Sequence, residues 1–202
     1  MSEPVSQRER LLRFLHEKGM AKSAEIQRAG ITAATLSRLV AEGVILQLSR
    51  GLYQLPDSIG DVHHTLAEAS MRVSRGVVCL VSALAFHGLT DQMPRCVWMA
   101  IGTKDWKPVI DYPPVRIARF SEPYLSAGIS EHVVEGVRVP VYDVAKTLAD
   151  CFRHRRSVGH QVAIEGIRET LRQGRVTPAE IAAAAEERRA WNVMRPYVEA
   201  LV

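Results

Sequence analysis

The sequence predicts an α+β fold in two parts, and three observations carry that prediction. Residues 23–55, SAEIQRAGITAATLSRLVAEGVILQLSRGLYQL, read as two short helices around a glycine turn followed by two alternating strands. Residues 56–60, PDSIG, are polar and turn-rich, which places a boundary between parts there. Beyond it, β-branched segments give way to amphipathic helical ones at the end of the chain. The expectation is an N-terminal winged helix-turn-helix over 1–56 and a mixed α+β C-terminal domain over 61–202 that finishes in helices.

The first helix opens at Ser6, where Glu9 three residues on completes a capping box, and Leu11, Leu12, Phe14 and Leu15 turn towards a core before Gly19 ends it. Arg8, Arg10, Arg13 and Lys18 lie around its polar side, a solvated face. Ser23 is the expected cap of the second helix, because its hydroxyl can accept from one of the first free backbone N–H groups. Gly30 then reaches the left-handed conformation that a tight inter-helix turn needs, and a third helix begins near Thr32. Leu36, Leu39 and Val40 share its inner side, which leaves Thr35, Ser37 and Arg38 on other faces. After Gly43 the period becomes alternating: Val44, Leu46 and Leu48 share one strand face, Ser49-Arg50-Gly51 turns, and residues 52–55 return.

In the second part, Asp61 is expected to cap a helix to about Ser74, residues 77–81 are a buried-strand candidate, and residues 82–88 are a short helix closed by Gly88. Residues 96–101 and 115–120 read as strands joined by a proline-bearing loop in which Trp106 is either a partner contact or a lid over the core, the lid being the expectation. Residues 131–142 form a hairpin turning at Glu135-Gly136. Helices follow from Asp143, over 158–172, from the Thr177-Pro178-Ala179-Glu180 capping sequence, and from Trp191.

Composition bounds the function. The chain has 202 residues, 47% of them hydrophobic, enough for a proper core, and its longest apolar run, 77–86, is too short to cross a bilayer. No apolar stretch follows the first charges, so no secretory signal is expected. Cys79, Cys96 and Cys151 are odd in number and far apart, which suits buried free thiols in a reducing cytoplasm. No cysteine or histidine pair has a metal-ligand spacing, so neither a metal nor another cofactor is expected. Residues 1–56 hold eight Lys/Arg against five Asp/Glu, whereas 57–202 hold 18 against 17, so the cationic excess sits mainly in the shorter part. A monomer with so few cations binds DNA weakly at physiological salt, so two copies, as a homodimer, or two domains are expected to share the duplex.

The candidate DNA contacts follow from these placements. Thr35, Ser37 and Arg38 carry groove-reading groups on the third helix, Ser23 and Thr32 stand at helix N-termini suited to phosphate, and Ser49 and Arg50 occupy the wing tip. In the C-terminal part Lys146, Arg153, Arg155 and Arg156, with His154 among them, make the densest cationic site. Three readings of it stay open: DNA phosphate, a nucleotide-bearing partner, or a solvated helix end where cations favour the dipole.

Two other functions have to be weighed. Asp91 with Asp105-Trp106-Lys107 loosely matches the carboxylate and Asp-x-Lys arrangement of a Mg²⁺-dependent nuclease, but in a loop rather than on a strand. The signatures of serine hydrolases, phosphate-cradling loops and zinc proteases are missing, so no catalytic residue is assigned and the chain is read as a non-enzyme. A small-molecule-responsive repressor would use His87, Trp98, Trp106 and Tyr124 to line a pocket, although scattered aromatics are more often core.

RGLYQLP at the end of the winged segment, SALAFHGLT at 82–90, and VPVYDVAKTLADCFRHR at 139–155 followed by VAIEGIRETLR together resemble the AbiEi-like antitoxins and transcriptional regulators of type IV toxin-antitoxin, or bacterial abortive infection, systems. The resemblance implies a cytoplasmic bacterial repressor whose winged helix binds inverted repeats in its own promoter. It also implies a C-terminal domain with antitoxin activity against an AbiEii-like, nucleotidyltransferase-like toxin, which the antitoxin need not bind directly.

Overall fold

A computed structural model describes residues 5–58 and 61–202. Ile59 and Gly60 of the expected boundary, and residues 1–4 of the N-terminus, lie outside the described residues. The chain divides into two compact units, Met1–Glu68 with Val133–Arg138, and Ala69–His132 with Val139–Val202.

In the first unit, α1 (Gln7–Lys18) opens on the expected capping box, with Glu9 N donating to Ser6 Oγ and Ser6 N to Glu9 Oε2. Its terminal Gly19 has φ +70°, and a Cβ there would stand 1.4 Å from the carbonyl oxygen of Glu135, so no other residue fits that approach. A strand unforeseen from sequence follows, β1 (Met20–Lys22), then α2 (Ser23–Arg28) and α3 (Ala33–Ala41). The cap of α2 is Lys22, not Ser23: Lys22 N donates to Glu25 Oε2, and Ser23 N is held by the Gly51 carbonyl at 2.9 Å, which draws Ser23 into the first helical turn. Gly30, at φ +82°, makes the turn between helices.

The wing is β2 (Leu46–Ser49) and β3 (Leu52–Gln54), and β1 pairs antiparallel to the other side of β3, giving the order β1-β3-β2. A register shift between Gln47 and Ser49 breaks the simple alternation. Ile45, just before β2, is the residue that enters the core, whereas Val44, Leu46 and Leu48 are half-buried. Leu11, Leu15, Ala21, Ile26, Ile31, Leu36, Leu39 and Ile45 fill this small core. Three helices on a three-stranded sheet in this order are a winged helix-turn-helix.

The second unit is built on a five-stranded sheet. The chain enters it along α4 (His64–Arg72), which starts later and ends earlier than the sequence suggests, and reaches β4 (Val77–Val78). β4 is only two residues long because Cys79 is already the cap of α5 (Leu80–Phe86). β5 (Val97–Gly102) and β6 (Val115–Phe120) pair in parallel, so residues 103–114 must travel back along the sheet before β6 can start. β7 (Ile129–Val134) and β8 (Val137–Tyr142) are joined by the expected Glu135-Gly136 turn, and the order is β6-β5-β4-β8-β7.

Five helices complete the fold: α6 (Val144–Arg153), α7 (Arg155–Val158), α8 (His160–Gln173), α9 (Pro178–Glu187) and α10 (Trp191–Leu201). Asp143 caps α6 by accepting from Lys146 N at 2.8 Å, and the Thr177/Glu180 capping box opens α9 as its sequence requires. Leu84, Leu148, Phe152, Ile167, Ile181 and Met194 bring the inner faces of these helices into one core with Phe120 and Tyr142 of the sheet. The α+β class, with a winged N-terminal part and a helical end, is therefore the architecture observed.

One departure has functional weight. Trp106 does not lie over the core but is 89% exposed.

Candidate nucleic-acid interface

The second helix of the helix-turn-helix is α3, and its two flanks are unlike in what they bury. Leu36 and Leu39 are sunk in the first core, while Thr32, Ser37 and Arg38 are exposed and Thr35 is half-buried. The Arg38 side chain is 64% exposed, and its one ionic partner among the described residues is Glu42, one turn on, at 3.7 Å. An ion pair this exposed contributes under about 1 kcal/mol, so the guanidinium can leave Glu42 for a stronger acceptor at little cost. Glu42 also receives Arg8 Nη1 at 3.4 Å, which ties α1 to the end of α3.

The start of α3 is organised by a residue that sequence reasoning missed. Gln7 Oε1 accepts from Thr32 N at 3.1 Å, from Thr32 Oγ1 at 3.2 Å and from Thr35 Oγ1 at 2.8 Å. The Thr32 hydroxyl in turn accepts from Thr35 N at 3.3 Å as the helix cap and lies 3.0 Å from the Thr35 hydroxyl. Gln7 thus fixes both hydroxyl rotors and uses the Thr32 amide. What this helix end still offers an anion is the amides of Ala33 and Ala34 in its first turn, together with the dipole. No local pattern points to Gln7, because its partners lie 25 and 28 residues away.

At the wing, Arg50 is exposed at the turn between β2 and β3, and Ser49 is half-buried with its hydroxyl lacking a hydrogen-bond partner. Ser23 adjoins this turn: a Cβ built on Gly51 would come within 3.2 Å of Ser23 Oγ. Ser23, Ser49 and Arg50 therefore gather at the wing tip, and Thr32, Thr35, Ser37 and Arg38 on α3.

The C-terminal cationic cluster divides. Lys146 is withdrawn from the surface: it is 5% exposed, and its Nζ lies 2.6 Å from Asp150 Oδ2. The sequence-based placing of Lys146 at a phosphate or partner surface is corrected accordingly, because a carboxylate one helical turn on, itself fully buried, takes its charge. Arg188 reaches the other oxygen of Asp150 from α9, so one carboxylate serves two cations. Burial holds the Lys146 ammonium below its usual pKa, with Asp150 opposing the shift. Both cations also lie over aromatic rings, Lys146 over Tyr142 at 3.8 Å and Arg188 over Tyr124 at 4.2 Å. Arg155 is half-buried and donates to the Phe152 carbonyl at 3.0 Å, closing the end of α6, and Arg153 reaches the Arg188 carbonyl at 3.4 Å. Arg156 is exposed.

The residues weighed for other functions are not assembled. Asp105 Oδ2 accepts from Gly102 N at 2.8 Å, so that carboxylate shapes its own loop. Among the described residues no group of three or more His, Cys, Asp or Glu is placed to hold a metal ion. A cavity of about 190 Å³ is lined by Tyr124, Lys146 and Arg188 but not by His87, Trp98 or Trp106. His87 donates from Nε2 to the Tyr142 carbonyl at 2.7 Å, which suits a neutral ring, and its burial lowers its pKa accordingly. Trp98 is buried beneath Arg116. Among the described residues no helix is long and apolar enough to cross a membrane.

Comparison with known proteins adds two findings. No curated protein matches the chain. Among solved structures, the crystal structure of RV2827C protein from Mycobacterium tuberculosis is similar over 99% of this chain and 82% of that one, with a TM-score of 0.62 and 13% sequence identity. At that identity the likeness concerns the fold. A family model described as "Transcriptional regulator, AbiEi antitoxin" matches residues 9–56, which span α1 to the end of the wing. Over its winged segment, then, the chain matches the AbiEi antitoxin family of transcriptional regulators, the same family that its motifs resemble.

Proposed function

We infer that this protein is a sequence-specific, double-stranded-DNA-binding transcriptional repressor, the AbiEi-type antitoxin of a type IV toxin-antitoxin system. In this reading it acts in the cytoplasm, represses its own operon at inverted repeats and counters a nucleotidyltransferase-like toxin. The observation that carries it is the exposed flank of α3, Ser37 and a lightly held Arg38, on a winged helix with an arginine at its wing.

The division of labour places DNA reading in residues 1–56 and regulation with antitoxin activity in 61–202. With α3 in the major groove, Arg38 is suited to the paired acceptors of a guanine edge, and Ser37 and Thr35 to hydroxyl contacts beside it. Ser23, Thr32, Ser49 and Arg50 are suited to flanking phosphates, which set register and orientation without reading sequence. The small cationic excess of this part makes one copy a weak binder at physiological salt, so two copies on an inverted repeat complete the assembly. Arg153, Arg155 and Arg156 are the C-terminal cations left for phosphate or a nucleotide-bearing partner. The reading assigns no catalytic step and no cofactor.

The test is a gel-shift titration against the DNA upstream of the gene, with wild type and Arg38→Ala, on operator and on random duplex. Arg38→Ala is expected to cost ~1–3 kcal/mol on the operator and less on random DNA. Equal losses on both would reduce Arg38 to a positioning contact, and no preference of the wild type for its own upstream DNA would overturn the repressor reading.

A further inference from the structure

The second unit holds a surface that the repressor reading does not use. Residues 103–114 exist because β5 and β6 run parallel and the chain has to return along the sheet. The first turn of this return is fixed rather than slack. Arg119 Nη1 donates to the carbonyls of Gly102, Thr103 and Asp105, each at 2.9 Å, and Gly102 N is held by the Asp105 carboxylate. The next residue is Trp106, 89% exposed. An indole so displayed forfeits the burial that normally places tryptophan inside, and here it does so on a fastened turn.

What surrounds it selects the partner. Trp106 lines a depression of about 250 Å³ with Arg72, Ser74, Arg75, Ile101, Asp105 and Pro108. Lys104 and Lys107 flank Trp106 in the chain and are exposed, as is Arg75. Among the described residues none of Arg72, Arg75, Lys104 and Lys107 has a carboxylate partner, and Arg72 Nε makes no hydrogen bond. The carboxylate in the lining, Asp105, has one oxygen on the Gly102 amide and keeps its charge, a single anion against four cations. A flat aromatic face with two arginines in its depression and two exposed lysines beside it in the chain complements a base and its phosphates. An apolar protein surface would leave those four charges unanswered. A base can lie on an indole only when it is out of a duplex stack, so the fit is to a single strand or an unpaired end.

We propose that Trp106, with Lys104, Lys107, Arg72 and Arg75, forms a stacking platform for single-stranded nucleic acid on the second unit, separate from the reading helix. Trp98 is buried and Trp191 half-buried, so Trp106 is the tryptophan whose emission responds to a ligand at the surface.

The experiment titrates the full-length protein with short oligothymidylate and oligouridylate at low salt, reading tryptophan fluorescence, with a duplex of unrelated sequence alongside. The expected result is saturable quenching by the single strands. Loss of one stacked base predicts an affinity about five- to a hundredfold weaker in Trp106→Ala, most of it retained in Trp106→Phe. In a Lys104→Glu, Lys107→Glu variant the salt dependence is expected to flatten. Operator binding is expected to stay unchanged in Trp106→Ala, which keeps this result independent of the repressor reading. The proposal is overturned if single strands give no saturable quenching, if Trp106→Ala binds them as wild type does, or if the indole proves to be the contact for a protein partner while the oligonucleotides fail.

Discussion

Replacing Asp150 with asparagine is the most informative single change in the second unit. Asp150 is fully buried, Lys146 and Arg188 are 5% and 6% exposed, and the carboxylate is the ionic partner of both. Removing its charge while keeping its shape leaves two cations in a region from which water is excluded, and breaking a buried pair from one side costs about 3–5 kcal/mol. The two cations respond differently. Lys146 is already depressed by burial, with Asp150 holding it up, so in the variant it releases its proton and limits the damage, whereas a guanidinium cannot. Lys146→Met, by contrast, leaves Asp150 paired with Arg188 and is expected to cost about 1.5–3 kcal/mol, the loss of one charged hydrogen bond. Thermal denaturation of the full chain should place Asp150→Asn roughly 10 °C below wild type.

The pH dependence gives an independent check on that reasoning. A lysine whose folded pKa lies below its unfolded value binds fewer protons in the folded state, so stability rises with pH between the two values. Asp150→Asn lowers the folded value further and widens this window. Its deficit relative to wild type should therefore shrink as the pH is raised from 7 towards 9. A deficit that is constant with pH, or a Lys146→Met variant as unstable as Asp150→Asn, would refute the account of one carboxylate shared by two unequal cations.

Two further outcomes follow from the packing. Gln7→Ala removes the acceptor of Thr32 N and both threonine hydroxyls, so it should lower stability by about 1 kcal/mol and weaken operator binding more than random-duplex binding, since Thr35 loses its orientation; gel shift and thermal melting measure both, and tighter operator binding would instead make Gln7 a blocker. His154 stacks on Phe120, and its pKa is lowered by burial first, with Arg188, Arg153 and Lys146 adding to that and Asp150 opposing it. The unfolded chain therefore takes up the proton at higher pH than the folded one, and stability is lost as pH falls below about 6.5. His154→Phe keeps the stack and should make the melting temperature fall less between pH 7 and 5; an unchanged slope would assign the loss to other groups, His87 among them.

How far these features were legible in the sequence depends on the range of the interactions that make them. Ser6 with Glu9, Thr177 with Glu180, and the Glu135-Gly136 turn are local devices whose partners lie three residues apart or fewer, and each appears where its motif stands. β1 was invisible because three residues carry no period, and it is a strand only because β3 lies beside it. Ile45 rather than Val44 enters the core because both still belong to the turn leaving α3, their amides held by the Leu39 carbonyl, so the strand's alternation does not begin at Val44. At the reading helix, the exposed residue types could be seen from the helical period, whereas Gln7 could not, because nothing near it in the chain marks it as a partner of Thr32 and Thr35. For Trp106 the sequence favours a lid over the core above a partner contact, and its 89% exposure removes the lid.

The same distinction changes what the net charge means. Counting Lys and Arg against Asp and Glu gives 57–202 almost no excess and gives every ion equal weight. Yet Lys146 and Arg188 are spent on Asp150 inside the protein, and Glu169 is spent on Arg172 and Gln173 tightly enough to hold its carboxyl at about 2. Arg72, Arg75, Lys104 and Lys107 have no carboxylate partner among the described residues, and Arg38 has only a weak one. A partner feels the charges left over after internal pairing, because a buried or closely paired ion has already given its field to its neighbour. Residues 57–202, near-neutral by count, can therefore present a cationic face at Trp106, and Arg50 at the wing is one of the cations of the first part without a carboxylate partner among the described residues. Salt titration separates these from the interior set: binding at α3 or at Trp106 should weaken as salt rises, whereas the Asp150 cluster, shielded from ions, should hold its contribution to stability.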